Sequence, residues 1–170
     1  MSNSEKKSDR FKMGMATRRA ILGGDHVDRA TGAMTDFDEP FQTFITEGAW
    51  GSVWSRPQLT SRERSLVTIA LLAALGHDEE VALHTRATTN TGATPEDVRE
   101  ALLHVAVYAG VPAANHAFKI VKKAYAEMNE ASQSGGSPRP QPSIVAPAAM
   151  SQSALKQKPR MGAAGAPKPI

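Results

Sequence analysis

Three consecutive apolar segments, each ending in a glycine, occupy residues 60–110 and constrain the fold more than any other feature of this chain. They read TSRERSLVTIALLAAL, HDEEVALHTRATTNT and TPEDVREALLHVAVYA, and the closing glycines are Gly76, Gly92 and Gly110. Glycine tolerates the left-handed backbone conformation with which many helices end. The pattern predicts three helices in succession, the middle one covered by the other two.

The starts of these helices are predicted from the residues that precede each apolar run. Thr94 can cap the third helix, Pro95 suits its first position, and Asp97 closes a capping box. Thr60 and Asp78 are the predicted caps of the first two helices.

The remaining folded part is also predicted to be helical. Residues 13–23 form a short helix, and an amphipathic helix follows within residues 36–54. Its apolar residues recur at spacings of three and four: Phe37, Phe41, Phe44 and Ile45. A last helix begins near Pro112, and no segment alternates as a strand does. We therefore predict an all-α fold, a compact domain of about six helices over residues 13–130.

Both ends of the chain differ in composition from this domain. Residues 1–12 are charged throughout, so we expect a flexible N-terminus rather than a signal peptide. Residues 131–170 are rich in Pro, Ala and Ser and carry five basic residues and no acidic one. A tail of this composition is expected to be disordered. Because the basic pI of about 9.3 belongs to the tail, a nucleic-acid partner is not expected.

Composition excludes several other classes of protein. The chain has no cysteine, which excludes disulfides and thiol nucleophiles and fits a cytoplasmic location. No apolar run approaches the ~18 residues of a membrane span, so no membrane association is expected. The helix over residues 66–75 is apolar all round, which a domain this small cannot bury alone, so we predict a homo-oligomer.

The middle helix carries the first candidate catalytic pair. Glu80 and His84 lie four residues apart and therefore on one helix face. A histidine titrates near neutral pH, and we expect the neighbouring carboxylate to raise its pKa. From the residues alone, a solvent-exposed ion pair is the favoured interpretation. His77 with Glu80 and His84 also has the spacing of a metal site, although His77 lies at the helix boundary.

Several motifs resemble the carboxymuconolactone decarboxylase family: ALLAALG, EEVALHTRA and LLHVAVYAGVPAANHAF, together with FQTFITEGAWGSVWSRPQL upstream. Relatives in the wider superfamily carry a Cys-x-x-Cys-x-x-x-His motif, whose cysteine positions here are His77 and Glu80. Thiol-based peroxide reduction is therefore excluded. The resemblance implies an alkylhydroperoxidase-like fold and a homohexamer. It also implies cofactor-free decarboxylation of 4-carboxymuconolactone to 3-oxoadipate enol-lactone in the protocatechuate branch of the β-ketoadipate pathway.

This chemistry needs no metal or other cofactor, because the lactone itself accepts the electrons released with CO2. It needs a proton donor and an anchor for the remaining carboxylate. We assign His84 with Glu80 to proton donation and Arg64 or Arg86 to the anchor. The further candidates for substrate binding are His104, His116, Trp50 and Trp54.

Each further candidate also has a structural interpretation. His104 follows Glu100 by one helical turn, His116 can simply pack beside Phe118, and tryptophans often serve as core or interface residues. Two alternatives to the assigned function stay open. One is a family member that acts on another lactone or keto acid, and the other is a non-catalytic helical oligomer.

Overall fold

A computed structural model describes residues 8–134 of the chain, and the predicted tail lies almost wholly outside this range. Within it the fold is all-α, as predicted, with eight α-helices and one π-helix. The elements are α1 (Asp9–Leu22), α2 (Gly24–Gly32), α3 (Glu39–Ile45), the π-helix (Thr46–Trp54), α4 (Ser61–Leu75), α5 (Asp78–Arg86), α6 (Thr88–Thr91), α7 (Pro95–Tyr108) and α8 (Val111–Ser134). None of these helices is long and apolar enough to cross a membrane.

Two of the predicted helix starts are confirmed, and one is wrong. The capping boxes of Thr60 with Glu63 and of Thr94 with Asp97 are both complete. The N-cap residue of α5 is instead His77, whose carbonyl accepts from the Val81 amide at 2.9 Å and whose side chain makes no capping bond, and Asp78 lies in the first turn. The middle segment also does not run unbroken to Gly92, because it turns at Ala87 between α5 and α6.

The N-terminal boundary differs from the expected one as well. The hydroxyl of Ser8 accepts a hydrogen bond from the Phe11 amide, so α1 begins at Asp9. Residues 9–12, expected to be flexible, are therefore helical. At the other end, α8 continues past the expected boundary at residue 130 to Ser134.

The main core lies where the C-terminal helices meet. Helix α8 packs against α5 and α7, and α4 packs against the same two helices. The largest fully buried side chains include Ile69, Val81, Val98 and Leu102 from three of these helices. A smaller cluster of Ile21, Trp50 and Ala87 joins α1, the π-helix and the end of α5. This second cluster fixes the tryptophans against the histidine-bearing helix.

The π-helix is the least ordinary element of the fold. A π-helix bonds each amide five residues back, and the backbone amide of Ser55 accordingly donates to the Trp50 carbonyl at 3.1 Å. It lies against α1 at two glycines. A Cβ atom on Gly14 would stand 2.1 Å from the Thr46 carbonyl oxygen, and one on Gly51 would stand 2.6 Å from the Arg10 carbonyl oxygen. Only glycine permits the two backbones to come so close.

Helix α4 leaves part of its apolar surface uncovered by the described chain. Ile69 and Ala73 are buried, whereas Val67, Leu71 and Leu75 are 52, 58 and 68% exposed. These three exposed residues follow one another at four-residue spacing and form a stripe, which we call the α4 stripe.

The phenylalanines whose spacing predicts an amphipathic helix are also exposed. Phe37 lies ahead of α3, and Phe41 and Phe44 lie on α3 with most of their surface exposed. Their spacing indicated a helix correctly, but it carried no information on what the helix packs against.

Candidate active site

His84 is a buried side chain with two aromatic neighbours. It lies in the last turn of α5 and is 7% exposed. The imidazole stacks nearly parallel to Trp54 at 5.9 Å and to Trp50 at 6.4 Å between ring centroids, and the two indole rings lie 5.2 Å apart. The π-helix presents both tryptophans to the same imidazole. The structure thus brings together His84, Trp50 and Trp54, all predicted from the sequence.

His84 and Trp50 border a cleft of about 470 Å³, and Trp54 stacks beside them without lining it. Its walls come from α1, α2, α3, the π-helix and α5. The lining residues that bear on its chemistry are Arg18, His26, Gln42, Trp50, Glu80 and His84. The cleft therefore joins Glu80 and His84 of α5 to α1, a helix for which the sequence predicts no functional residue.

Arg18 is the residue that sequence reasoning missed. It is 7% exposed, yet its only hydrogen bond to a described residue runs from Nη1 to the side-chain carbonyl of Gln42 at 3.1 Å. Its Nε atom is enclosed without a partner. Burial lowers the pKa of Arg18, and no described carboxylate counteracts that effect. A buried guanidinium without a counter-ion is costly, and such groups occur where a ligand supplies the missing charge.

The environment of His84 differs from the expected one. Burial lowers the pKa of His84 to about 4, and its Nδ1 atom has no hydrogen-bond partner among the described residues. The prediction that Glu80 raises this pKa is wrong, because Glu80 is exposed and desolvation alone determines the shift. His84 is therefore a neutral imidazole at pH 7 in the unliganded protein.

Glu80 lies on the cleft, but it interacts electrostatically with a different histidine. The Glu80 carboxylate raises the pKa of His26, which burial lowers more strongly. His26 is half-buried on α2 and lines the same cleft. The i,i+4 spacing placed Glu80 and His84 on one face, but the depth of each side chain depends on α2 and α3, which lie over that face.

The four other predicted substrate-binding residues lie outside this cleft. Arg64 is buried on α4 and donates to the Arg56 carbonyl at 2.8 Å. Arg86 is paired with Glu127 at 2.7 Å, and His116 with Asp78 at 2.7 Å, both near the surface. His104 is exposed and stacks on Tyr108. We do not include these four in the proposed site.

The alternative metal site is not formed. Within residues 8–134, no group of three or more histidine and acidic side chains is arranged to hold a metal ion. The spacing in sequence suits a metal site at His77, Glu80 and His84. In the structure, however, His77 lies outside α5 at its N-cap position.

Comparison with known proteins gives one family. The sequence model of the Carboxymuconolactone decarboxylase family matches residues 39–123. The chain is 44% identical over 119 residues to 4-carboxymuconolactone decarboxylase of Acinetobacter baylyi, spanning 70% of this chain and 89% of that relative. It is 39% identical over 127 residues to nitrosuccinic acid decarboxylase npaB of Metarhizium robertsii, spanning 75% and 89%. A match to a Pseudomonas putida 4-carboxymuconolactone decarboxylase covers 45 residues at 44% identity, 26% of this chain and 94% of that relative.

The fold and the cleft define an all-helical protein with a buried histidine beside a pair of tryptophans. A family model that matches half of the chain, and two relatives that each align with most of it, show to which family the protein belongs. The chain belongs to the carboxymuconolactone decarboxylase family, and it is an enzyme of the carboxy-lyase class.

Proposed function

We propose that this protein removes CO2 from 4-carboxymuconolactone, without a cofactor, in the cleft that holds His84. The observation that carries the proposal is a titratable side chain buried against two tryptophans in a cleft that also holds a cation without a counter-ion. A relative named for this reaction, 44% identical, supports the choice of substrate.

The reaction moves one electron pair and one proton. The bond between the γ-carbon and the departing carboxylate breaks, CO2 leaves, and the electron pair passes through the ring to the lactone carbonyl. The resulting dienolate then takes a proton at the α-carbon, which gives the enol-lactone. The tryptophan faces exclude water from the departing carboxylate, and we assign the proton to His84.

A neutral imidazole cannot supply this proton at pH 7, so His84 must become charged when substrate binds. Charging a group of pKa about 4 at pH 7 costs about 4 kcal/mol. A substrate carboxylate about 4 Å away contributes about 4 kcal/mol at an effective dielectric constant of about 20. The dianionic substrate can therefore raise the pKa of His84 enough to offset the cost. In this scheme, binding takes up one proton, and catalysis transfers it to carbon.

A second substrate is favoured by the relative named nitrosuccinic acid decarboxylase, which is 39% identical. In nitrosuccinate the electron pair released with CO2 would pass to the nitro group instead of a lactone carbonyl. The nitronate formed would also need a proton on carbon. The same site can serve both reactions, because a proton donor and an anion anchor are needed in each.

The test is CO2 release by the purified full chain after dialysis against a chelator. We expect stoichiometric CO2 and enol-lactone from 4-carboxymuconolactone, with nitrosuccinate as the second substrate and muconolactone, which lacks the departing carboxylate, as the blank. If the protein releases CO2 from nitrosuccinate but not from 4-carboxymuconolactone, nitrosuccinate is the substrate. No CO2 from either compound would contradict the proposed function.

The family resemblance and the α4 stripe lead us to propose a homohexamer. The three exposed residues of the stripe need a partner surface, and burial of apolar area is the main source of association energy. We expect light scattering to give about six times the 18.1 kDa chain mass. Leu71→Lys should shift the protein to smaller species, whereas Thr89→Lys, the same charge at an exposed polar site, should not. A monomeric wild type would contradict this prediction.

A further inference from the structure

Arg18 lies between the cleft that holds His84 and a second cavity. Arg18 and Gln42 line the cleft that holds His84, and both also line a smaller cavity of about 190 Å³ behind it. Besides Arg18 and Gln42, the cavity is lined by three apolar residues and three threonines: Phe11, Met15, Met34, Thr31, Thr43 and Thr46. A single charged group thus stands at the junction of an open cleft and a more enclosed, largely apolar space.

Two residues that line the smaller cavity each have a buried polar atom without a partner among the described residues. One is Nε of Arg18, and the other is the hydroxyl of Thr46, a residue that is 1% exposed. Buried polar groups are almost always hydrogen-bonded, and each one that is not raises the question of what satisfies it. Gly14, on the helix that carries Arg18, lies directly against the backbone of Thr46, so the two elements are held close together. Both groups can donate hydrogen bonds, so together they can bind an anion.

The substrate carries two carboxylates, and the chemistry decides which of them suits Arg18. During decarboxylation, negative charge leaves the departing carboxylate. A cation placed on that carboxylate would stabilise the ground state more than the transition state and would slow the reaction. The carboxylate that stays keeps its charge throughout, so holding it costs no rate. The buried cation should therefore bind the carboxylate that is retained.

The retained group is the same in both substrates considered above. In 4-carboxymuconolactone and in nitrosuccinate, the carbon that loses CO2 bears a CH2–COO⁻ arm. The two molecules differ in the group that accepts the electron pair. Resting on the proposed function, we propose that Arg18, with Gln42 and Thr46, forms a subsite for this carboxymethyl arm. Specificity then follows from the arm, and the electron-accepting group is free to vary.

Acidic residues on the same cleft oppose this assignment, but weakly. Glu79 and Glu80 line the cleft and would repel a dianion. Both are exposed, so solvent and salt screen their charges. Arg18 is buried, and its interaction with a bound carboxylate is screened far less. The preference for an anion therefore depends mainly on Arg18.

A stable aromatic mimic of the dienolate tests the subsite without catalysis. The probe is 2-furylacetate, and its neutral control is 2-furylacetamide, which has the same shape. Trp50 and Trp54 are the only tryptophans of the chain, so their fluorescence reports occupancy of the cleft. We expect Arg18→Met to weaken binding of the anion by about 10- to 100-fold and to leave binding of the amide unchanged. Arg19→Met, one residue along on the solvent side of α1 and paired with Asp28, should bind both probes as the wild type does.

Catalysis gives the second readout. Arg18→Met should raise KM for 4-carboxymuconolactone by a similar factor. An analogue with a methyl group in place of the carboxymethyl arm should be turned over equally by Arg18→Met and the wild type. A merely structural Arg18 would slow both compounds, and Arg18→Lys, which keeps a cation, should recover part of the anion preference in either assay.

The outcomes separate the two proposals. An anion preference that survives in Arg18→Met, in binding or in KM, overturns the subsite. Arg18-dependent binding of 2-furylacetate by a protein that releases no CO2 supports the subsite and overturns the proposed function. Loss of the anion preference in both binding and KM, at the wild-type melting temperature, supports both proposals, because KM is measured on turnover. If Arg18→Met does not fold, Arg18→Lys decides, and its failure to prefer the anion overturns the subsite.

Discussion

His84→Gln is expected to lower kcat for CO2 release by about 10²- to 10⁴-fold, the usual cost of losing a general acid. Glutamine keeps most of the bulk between α5 and the π-helix and can still donate a hydrogen bond, but it has no titrating proton. Because glutamine is a good helix former, the fold should be retained. The measurement is kcat on protein shown by light scattering to have the wild-type assembly. Wild-type turnover would contradict the assignment of His84.

The pH dependence of kcat/KM tests the proton uptake separately. The free protein has His84 with a pKa of about 4, and kcat/KM depends on the free enzyme. If the charged imidazole is the donor, kcat/KM should fall about tenfold for each pH unit between pH 5 and 8, where the substrate stays a dianion. His84→Gln should lose this slope. A flat wild-type profile over that range would show that His84 acts as a neutral hydrogen-bond donor to the dienolate oxygen.

His104→Gln is a suitable control for both measurements. His104 is exposed and lies outside the cleft, on α7 beside Tyr108. The substitution removes the same chemical group, so its kcat and pH profile should match the wild type. A large loss at His104 would mean that the catalytic site lies on another surface.

Gly14→Ala is expected to destabilise the protein by about 3 kcal/mol, at the upper end of overpacking effects. The added methyl group would stand 2.1 Å from the Thr46 carbonyl oxygen and 2.9 Å from the Gly51 amide nitrogen. Both are backbone atoms, so no side chain can rotate away, and α1 must separate from the π-helix. The expected fall in Tm is about 10 °C. A variant as stable as the wild type would contradict the close approach of the two backbones.

The matched control is Gly48→Ala, in the same π-helix. A methyl group at Gly48 meets no atom within 4 Å. The substitution changes the same residue type with no steric conflict, so we expect the Tm to stay within about 2 °C of the wild type. The comparison isolates backbone contact from the general effect of replacing a glycine.

Features that depend on a few neighbouring residues were predictable from the sequence. Thr60 with Glu63 and Thr94 with Asp97 form capping boxes because all their atoms lie within one turn. The helical class followed from apolar spacing, and Trp50 and His84 were recognised through motifs. These signals are local, or they are carried by a family resemblance.

Features that depend on packing between distant segments were not predictable. Arg18 precedes His84 by 66 positions, and nothing in its own surroundings distinguishes it from Arg19. The predicted direction of the His84 pKa shift is wrong, because the spacing to Glu80 is visible in the sequence whereas the burial of His84 is not. The π-helix is not predicted from the sequence, because the apolar spacing that predicts a helix here ends at Ile45, one residue before the π-helix begins.

The π-helix also makes the cleft depend on the length of one segment. A π turn holds about one residue more than an α turn, so deleting one residue from it can restore α geometry and leave the elements on either side in place. Deleting Gly48 would therefore shift Trp50 within the turn, relative to the imidazole whose ring centroid lies 6.4 Å from that of Trp50. The shape of the cleft can thus change with the length of this one element, without substitution of any residue that lines it.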